Sequence, residues 1–316
     1  MPGTKAAIIF KRQPDTPRLA TRPWLGIALF LAVQLVSAQI SAPASTAISP
    51  RVQEQTFHSK ALDRDMHYLA VLPADYGKSQ QRYPVLYLLH GWAGDYTNWV
   101  KMTKLVDDSG RYPMIIITPD AQNSWYVNSA TVPADRFEDY IINDLIHEVD
   151  IRWRTVASPN HRAIAGLSMG GYGSVLFGLK YPGTFAAVGS VSGAFGGPVG
   201  IEHVMPGLRE STDRAFGALG STIRNDNDID SLLYSVLARA DHVSIPYFFL
   251  ECGSQDPLLP SNRKFVGELS SKNASYEYHE YPGAHTWEFW DQALPLMLEV
   301  ISTRIVSGKR LLLPPR

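Results

Sequence analysis

The sequence holds a single cysteine, Cys252, so no disulfide can close within the chain and no cysteine-based metal site can be built. That residue ends the apolar run Phe248-Phe249-Leu250-Glu251-Cys252 with no basic activator beside it, and it reads as a small buried apolar side chain rather than a nucleophile. Charge of one sign is lacking too. The 29 Lys and Arg residues stand against 30 Asp and Glu for a formal charge of -1, which leaves no footprint for nucleic acid or an anionic membrane. No pair of histidines or carboxylates has metal-ligand spacing, so neither a metal nor a cofactor is implied. Internal repeats and low-complexity tracts are absent.

Long apolar runs are equally scarce. The stretch Trp24 to Val36 covers about thirteen residues, short of the roughly 20 that cross a bilayer as a helix. Lys5, Lys11, Arg12, Arg18 and Arg22 precede it and Val36-Ser37-Ala38-Gln39 follows, a basic leader, apolar core and small-residue cleavage site. Residues 1–38 therefore read as a signal peptide cleaved after Ala38, and the protein is expected to be exported, periplasmic or secreted. An uncleaved anchor is the alternative, because the basic leader is long; after cleavage no stable membrane association is expected.

What is present fits one large core: 316 residues, 45% hydrophobic and 19% charged. Residues 39–50, rich in Ala, Ser and Pro, read as a flexible lead-in, residues 51–306 as the folded domain and residues 307–316 as a tail. Val52 to Phe57 and Met66 to Leu72 suit two antiparallel strands. Short apolar runs at Val85 to Leu89, Met114 to Ile117 and Ala163 to Ala165 suit strands buried on both faces, and further strands fit Phe185 to Val191, Tyr247 to Cys252 and Tyr276 to Glu280. Helical patterns over Phe137 to Trp153, Gly170 to Lys180, Arg263 to Ser270 and Trp287 to Ile305 alternate with them. The expected fold is α/β: a mostly parallel central sheet, helices on both faces, and an antiparallel N-terminal hairpin. Residues 195–242 lack a strand signal and read as an insertion over the carboxyl edge of the sheet, where ligands bind in such folds.

Gly166-Leu167-Ser168-Met169-Gly170 matches a nucleophile elbow, in which a strand turns abruptly into a helix and exposes a serine at the bend. It directly follows the strand Ala163-Ile164-Ala165 and opens the next helix, the context that this motif requires. A serine hydroxyl needs a base within reach and a third group to fix that base's tautomer, in the chain order Ser, acid, His. Of nine histidines, only His279 and His285 lie late enough in the chain. His279 belongs to an alternating strand, whereas His285 follows Tyr281-Pro282-Gly283-Ala284 in a loop after that strand, and is the expected base. Asp256, in the turn Cys252-Gly253-Ser254-Gln255-Asp256-Pro257, is the expected acid; an Asx turn or helix cap is its bland alternative. The oxyanion hole should use the backbone NH of Met169 and, from Leu88-Leu89-His90-Gly91-Trp92-Ala93-Gly94, that of Trp92, with Gly91 letting the backbone approach the substrate. His90 is expected to bond loop backbone. Trp125 and Tyr126 are expected to wall an apolar substrate pocket, against a plain core reading.

These segments, with Asn123-Ser124-Trp125-Tyr126 and Gly283-Ala284-His285-Thr286-Trp287, resemble the esterase D family, and most of all its tributyrin-esterase and feruloyl-esterase branch. The resemblance covers about four fifths of the chain and implies an α/β-hydrolase with a Ser168, Asp256, His285 triad. S-formylglutathione hydrolases of that family carry a cysteine-containing loop where this chain has His90-Gly91-Trp92. The expected activity is hydrolysis, through an acyl-enzyme, of short-chain acyl esters or of esters on carbohydrates. An acyltransferase of the mycolyltransferase type, an S-formylglutathione hydrolase and a non-catalytic binding module are the alternatives.

Overall fold

The described residues form eight strands: β1 (Val52–Ser59), β2 (Arg64–Val71), β3 (Val85–Leu89), β4 (Ile115–Pro119), β5 (Arg162–Leu167), β6 (Ala187–Val191), β7 (Tyr247–Gly253) and β8 (Tyr276–Tyr281). The computed structural model describes residues 49–238 and 245–308, so the expected signal peptide, most of the expected lead-in and the end of the tail lie outside the described residues. The strands form one sheet in the order β1-β2-β4-β3-β5-β6-β7-β8. β1 pairs with β2, and β2 with β4, in antiparallel register, while every pair from β4 to β8 is parallel. This is the α/β-hydrolase architecture expected from the alternation of patterns.

The central strands are apolar throughout because both faces are covered. Tyr87, Leu89, Ile117, Ile164, Val188 and Leu250 point into one core, under α3 (Phe137–Asp139), α4 (Ile146–Arg152), α5 (Met169–Lys180), α7 (Ile229–Leu237) and α8 (Leu259–Ser271). Leu86, Leu88, Ile116, Ala165, Val191 and Phe249 point into the other, under α1 (Asn98–Met102), α2 (Leu105–Ser109) and α9 (Trp287–Ser307). Period-two alternation within each run thus fills two cores rather than one core and solvent. Among the described residues no helix is long and apolar enough to cross a membrane.

Some boundaries depart from the sequence reading. The helix expected over 137–153 contains a π-helical stretch, Tyr140–Leu145, between α3 and α4. Helix α8 begins four residues early with a proline in its first turn, where the missing N–H costs nothing. Helices α1 and α2 span five residues each, too short to leave a periodic signal. Between 195 and 238 there is no strand, only 3-10 turns, α6 (Arg209–Phe216) and α7.

One residue of the sheet is at odds with its surroundings. Glu251 lies in β7 between Val191 and His279, fully buried, and neither carboxylate oxygen meets a hydrogen-bond partner among the described residues. Burial, reinforced by the charge of Glu277, pushes its carboxyl well above the usual range, so the folded chain holds a proton that the unfolded chain releases. The contribution of Glu251 to folding stability is then greatest below the unfolded value near 4.5 and falls as pH rises above it, by about 1.4 kcal/mol per pH unit until the folded-state value is reached. Glu251→Gln should melt several degrees above the wild type at pH 8, the gap closing toward pH 4. Thermal unfolding across that range checks this, and a gap that does not change with pH would contradict it.

Candidate active site

The parallel register brings three loops to one edge of the sheet. Ser168 follows β5, Asp256 follows β7 and His285 follows β8, all at the carboxyl ends of their strands. The elbow at Ser168 has φ 52° and ψ -116°, a left-handed conformation that an L-residue adopts only under constraint. Its neighbours supply the constraint. A Cβ on Gly166 would sit 2.5 Å from the backbone of Gly170, and one on Gly170 would sit 2.5 Å from the His90 carbonyl oxygen. Only glycine lets β5, α5 and the loop after β3 approach so closely. The Ser168 N–H donates to the Val191 carbonyl at 3.0 Å and ties the bend to β6.

The side chains line up as a relay. His285 Nε2 lies 2.9 Å from Ser168 Oγ, and His285 Nδ1 lies 2.8 Å from Asp256 Oδ2. The other oxygen, Asp256 Oδ1, accepts the Leu258 N–H at 2.8 Å. Burial alone would raise the Asp256 carboxyl; hydrogen bonding from His285, its charge and the Leu258 amide outweigh that and hold it below the usual range. Asp256 is therefore an ionised carboxylate with its charge directed at the imidazole. The competing carboxylates are engaged elsewhere: Glu277 bonds His279 and Tyr247, and Glu280 takes both prongs of Arg263. The indole of Trp290 meets the His285 ring edge to face, with centroids 5.0 Å apart, and limits its rotation.

Met169 directly follows the serine, and Trp92 lines the same cavity as Ser168. Met169 is the first residue of α5, so its N–H has no partner one turn earlier in the helix. In the loop after β3, Ala93 N–H donates to Asn123 Oδ1 at 2.7 Å and Gly94 N–H to the Gly91 carbonyl at 3.1 Å, while Trp92 N–H meets no backbone acceptor among the described residues. The loop itself is braced. Ala121 N–H donates to His90 Nε2 at 3.0 Å, which makes that nitrogen an acceptor and leaves Nδ1 to donate to the Gly91 carbonyl at 2.8 Å. His90 thus bonds loop backbone. Ala93 sits at φ 59°, and the Asn123 side chain holds its amide. Asn123 belongs to a segment singled out in the sequence, but no local pattern shows that it reaches residue 93.

A cavity of about 200 Å³ opens over Ser168. Gly91, Trp92 and Trp125 line it, as the sequence reading expects for Gly91 and Trp125; Met205, Leu208 and Trp287 also line it, without having been expected to. Among the described residues that line it, His285 is the only titratable group. Tyr126 corrects the expectation that it shares the pocket wall with Trp125. Both rings are fully buried, but Trp125 borders the cavity and Tyr126 does not: its hydroxyl donates to the His90 carbonyl at 2.9 Å and its ring lies against Gly173. Consecutive left-handed residues, Trp125 at φ 57° and Tyr126 at φ 61°, send the two rings in different directions. Among the described residues no group of three His, Cys, Asp or Glu could hold a metal ion.

Comparison with known proteins agrees with this geometry. Residues 59–231 match the family described as "Putative esterase". The chain is 29% identical over 268 residues to an acetyl esterase of Caldicellulosiruptor saccharolyticus, covering 79% of this chain and 98% of that protein. It superposes on substrate-bound FphF, a fluorophosphonate-binding serine hydrolase of Staphylococcus aureus, with TM-score 0.72 and 26% identity over 79% of this chain and 98% of the other. A ferulic acid esterase structure matches with TM-score 0.67 and 26% identity over 80% and 98% of the two chains. With more than half of its length matched by the family, an α/β-hydrolase sheet and a serine at the elbow, the chain belongs to the esterase family of serine hydrolases.

Proposed function

We propose that this esterase hydrolyses short-chain acyl esters of uncharged alcohols, sugars among them, through an acyl-enzyme on Ser168. The observation that carries the reading is the unbroken hydrogen-bonded line from Ser168 Oγ through His285 to Asp256, at 2.9 and 2.8 Å, beneath a cavity of about 200 Å³ whose walls, among the described residues, include no Lys, Arg, Asp or Glu. Ser168 Oγ attacks the ester carbonyl as its proton passes to His285 Nε2. Negative charge on the carbonyl oxygen is met by the Trp92 and Met169 amides, and the imidazolium by Asp256. When the carbon–oxygen bond to the alcohol breaks, His285 returns the proton to the departing oxygen. Water then adds to the acyl-enzyme, giving its proton to His285, and Ser168 leaves with that proton restored. A small apolar cavity favours short acyl groups, and tryptophan walls suit the apolar face of a sugar or an aromatic ring. The acetyl esterase and ferulic acid esterase relatives act on esters of these kinds by name.

The test is a panel of nitrophenyl esters from acetate to octanoate, an acetylated sugar and methyl ferulate, with and without free sugar. Acetate and butyrate should turn over fastest, at rates that sugar does not change. Turnover accelerated by sugar, with acylated sugar as product, would make the protein a transferase instead.

A further inference from the structure

We infer that Arg224 is a positioning residue that limits the length of the esters accepted, by clamping the segment that brings Met205 and Leu208 to the pocket. The inference rests on the esterase reading and adds to it the origin of its size selectivity.

Residues 195–228 contribute no strand to the sheet. Their 3-10 turns and the eight-residue α6 are too short to hold their own conformation in water, so tertiary contacts must fix them. At their centre is a guanidinium that is only 2% exposed. Arg224 Nε donates to the Gly217 carbonyl at 2.8 Å, Nη1 to the Pro198 carbonyl at 3.2 Å and to Glu202 Oε1 at 3.0 Å, and Nη2 to Asp213 Oδ1 at 2.7 Å. Two of these acceptors precede Met205 and Leu208 in the chain and two follow them. One planar group therefore joins both flanks of the stretch that walls the cavity.

Energetics indicate what such a group is for. A buried ion pair gains little stability over well-packed apolar residues, because desolvation offsets the attraction. Its fork does, however, impose one geometry on four acceptors, which a flexible ammonium cannot do. The clamped segment is in turn docked on the loop that carries Trp125: Trp125 Nε1 donates to Ser211 Oγ at 3.2 Å, Ala130 N–H to the Ala215 carbonyl at 2.9 Å, and Arg214 pairs with Asp135 at 2.6 Å. Trp125, Met205 and Leu208 thus form one wall whose position depends on Arg224. Held there, the wall leaves a cavity of about 200 Å³, and each methylene that fails to fit costs about 10–200-fold in discrimination. Released, it would admit longer chains.

Arg224→Lys keeps the charge opposite Glu202 and removes the fork. In nitrophenyl esters from acetyl to octanoyl, and in acetates of methanol to octanol, kcat/KM for the eight-carbon member relative to the shortest should rise at least tenfold in one series. Acetate turnover should stay within about threefold of wild type. Asp213→Asn, at a partner side chain that is 38% exposed, removes one charged acceptor and should shift the ratio in the same direction by less. Hydrogen exchange over residues 199–216 reads the clamp without any substrate, and should speed up at least tenfold in Arg224→Lys. Unchanged exchange, or length ratios unchanged in both series, would overturn the inference, as would an equal fall for short and long esters. Faster exchange in a protein that cleaves none of the esters would leave the clamp standing and refute the esterase reading instead.

Discussion

Ser168→Ala should lower kcat on nitrophenyl acetate by about a million-fold while the protein still folds, because members of a triad act as a unit and the rest cannot substitute for the nucleophile. The substitution removes one oxygen. Alanine must still adopt φ 52°, but the close approach of Gly166, Gly170 and the loop after β3 constrains that bend as it does for serine, and the N–H to the Val191 carbonyl remains. Circular dichroism and thermal unfolding should therefore match wild type closely. KM should change little, since the pocket walls and backbone donors are untouched. Retained turnover within tenfold of wild type, in protein freed of contaminating esterase by a second purification route, would mean that ester cleavage occurs elsewhere on the molecule.

Asp256→Asn should cost about 10⁴ in kcat, through the tautomer rather than the fold. Asparagine is nearly isosteric, and its oxygen can go on accepting the Leu258 amide that Asp256 Oδ1 accepts at 2.8 Å. The amide nitrogen then faces His285 Nδ1, where the carboxylate oxygen lies at 2.8 Å. Two donors cannot share that contact, so the imidazole turns its lone pair to Nδ1 and its proton to Nε2, the atom that must accept from Ser168. Stability should change with a definite sign. The folded-state carboxyl of Asp256 is held below its unfolded value near 3.8, so its contribution is present above that pH and is lost as pH falls through the folded value. The asparagine variant lacks this contribution, and its deficit relative to wild type should be present at neutral pH and shrink in acid. Activity near wild type would require another carboxylate on His285, yet Glu277 and Glu280 are held by other partners.

Much of the fold was readable because its signals are local. Each central strand is a short apolar run, and the one long helix at the C-terminal end, α9, keeps its apolar periodicity over 21 residues. The elbow is readable for the same reason: glycines flanking Ser168 meet a strand on one side and a helix on the other within five residues. Trp125 and Tyr126 mark the limit. Both are apolar aromatics in one segment, and nothing in their identity says that one walls the cavity while the other hangs from the His90 carbonyl. That depends on two successive left-handed residues, which neither residue type favours.

By itself the sequence determined the layered α/β architecture, the serine at the bend and the order of the acid and histidine after it, since strand period, glycine spacing and chain order are properties of neighbours in the chain. Only the tertiary structure decided that Met205 and Leu208 line the cavity, that Arg224 joins Pro198, Glu202, Asp213 and Gly217, that Asn123 holds the amide of Ala93, and that Glu251 lies buried without a hydrogen-bond partner among the described residues. Each depends on contacts that no local pattern in the chain specifies. Burial, which sets their chemistry, is conferred by whatever the fold packs against them.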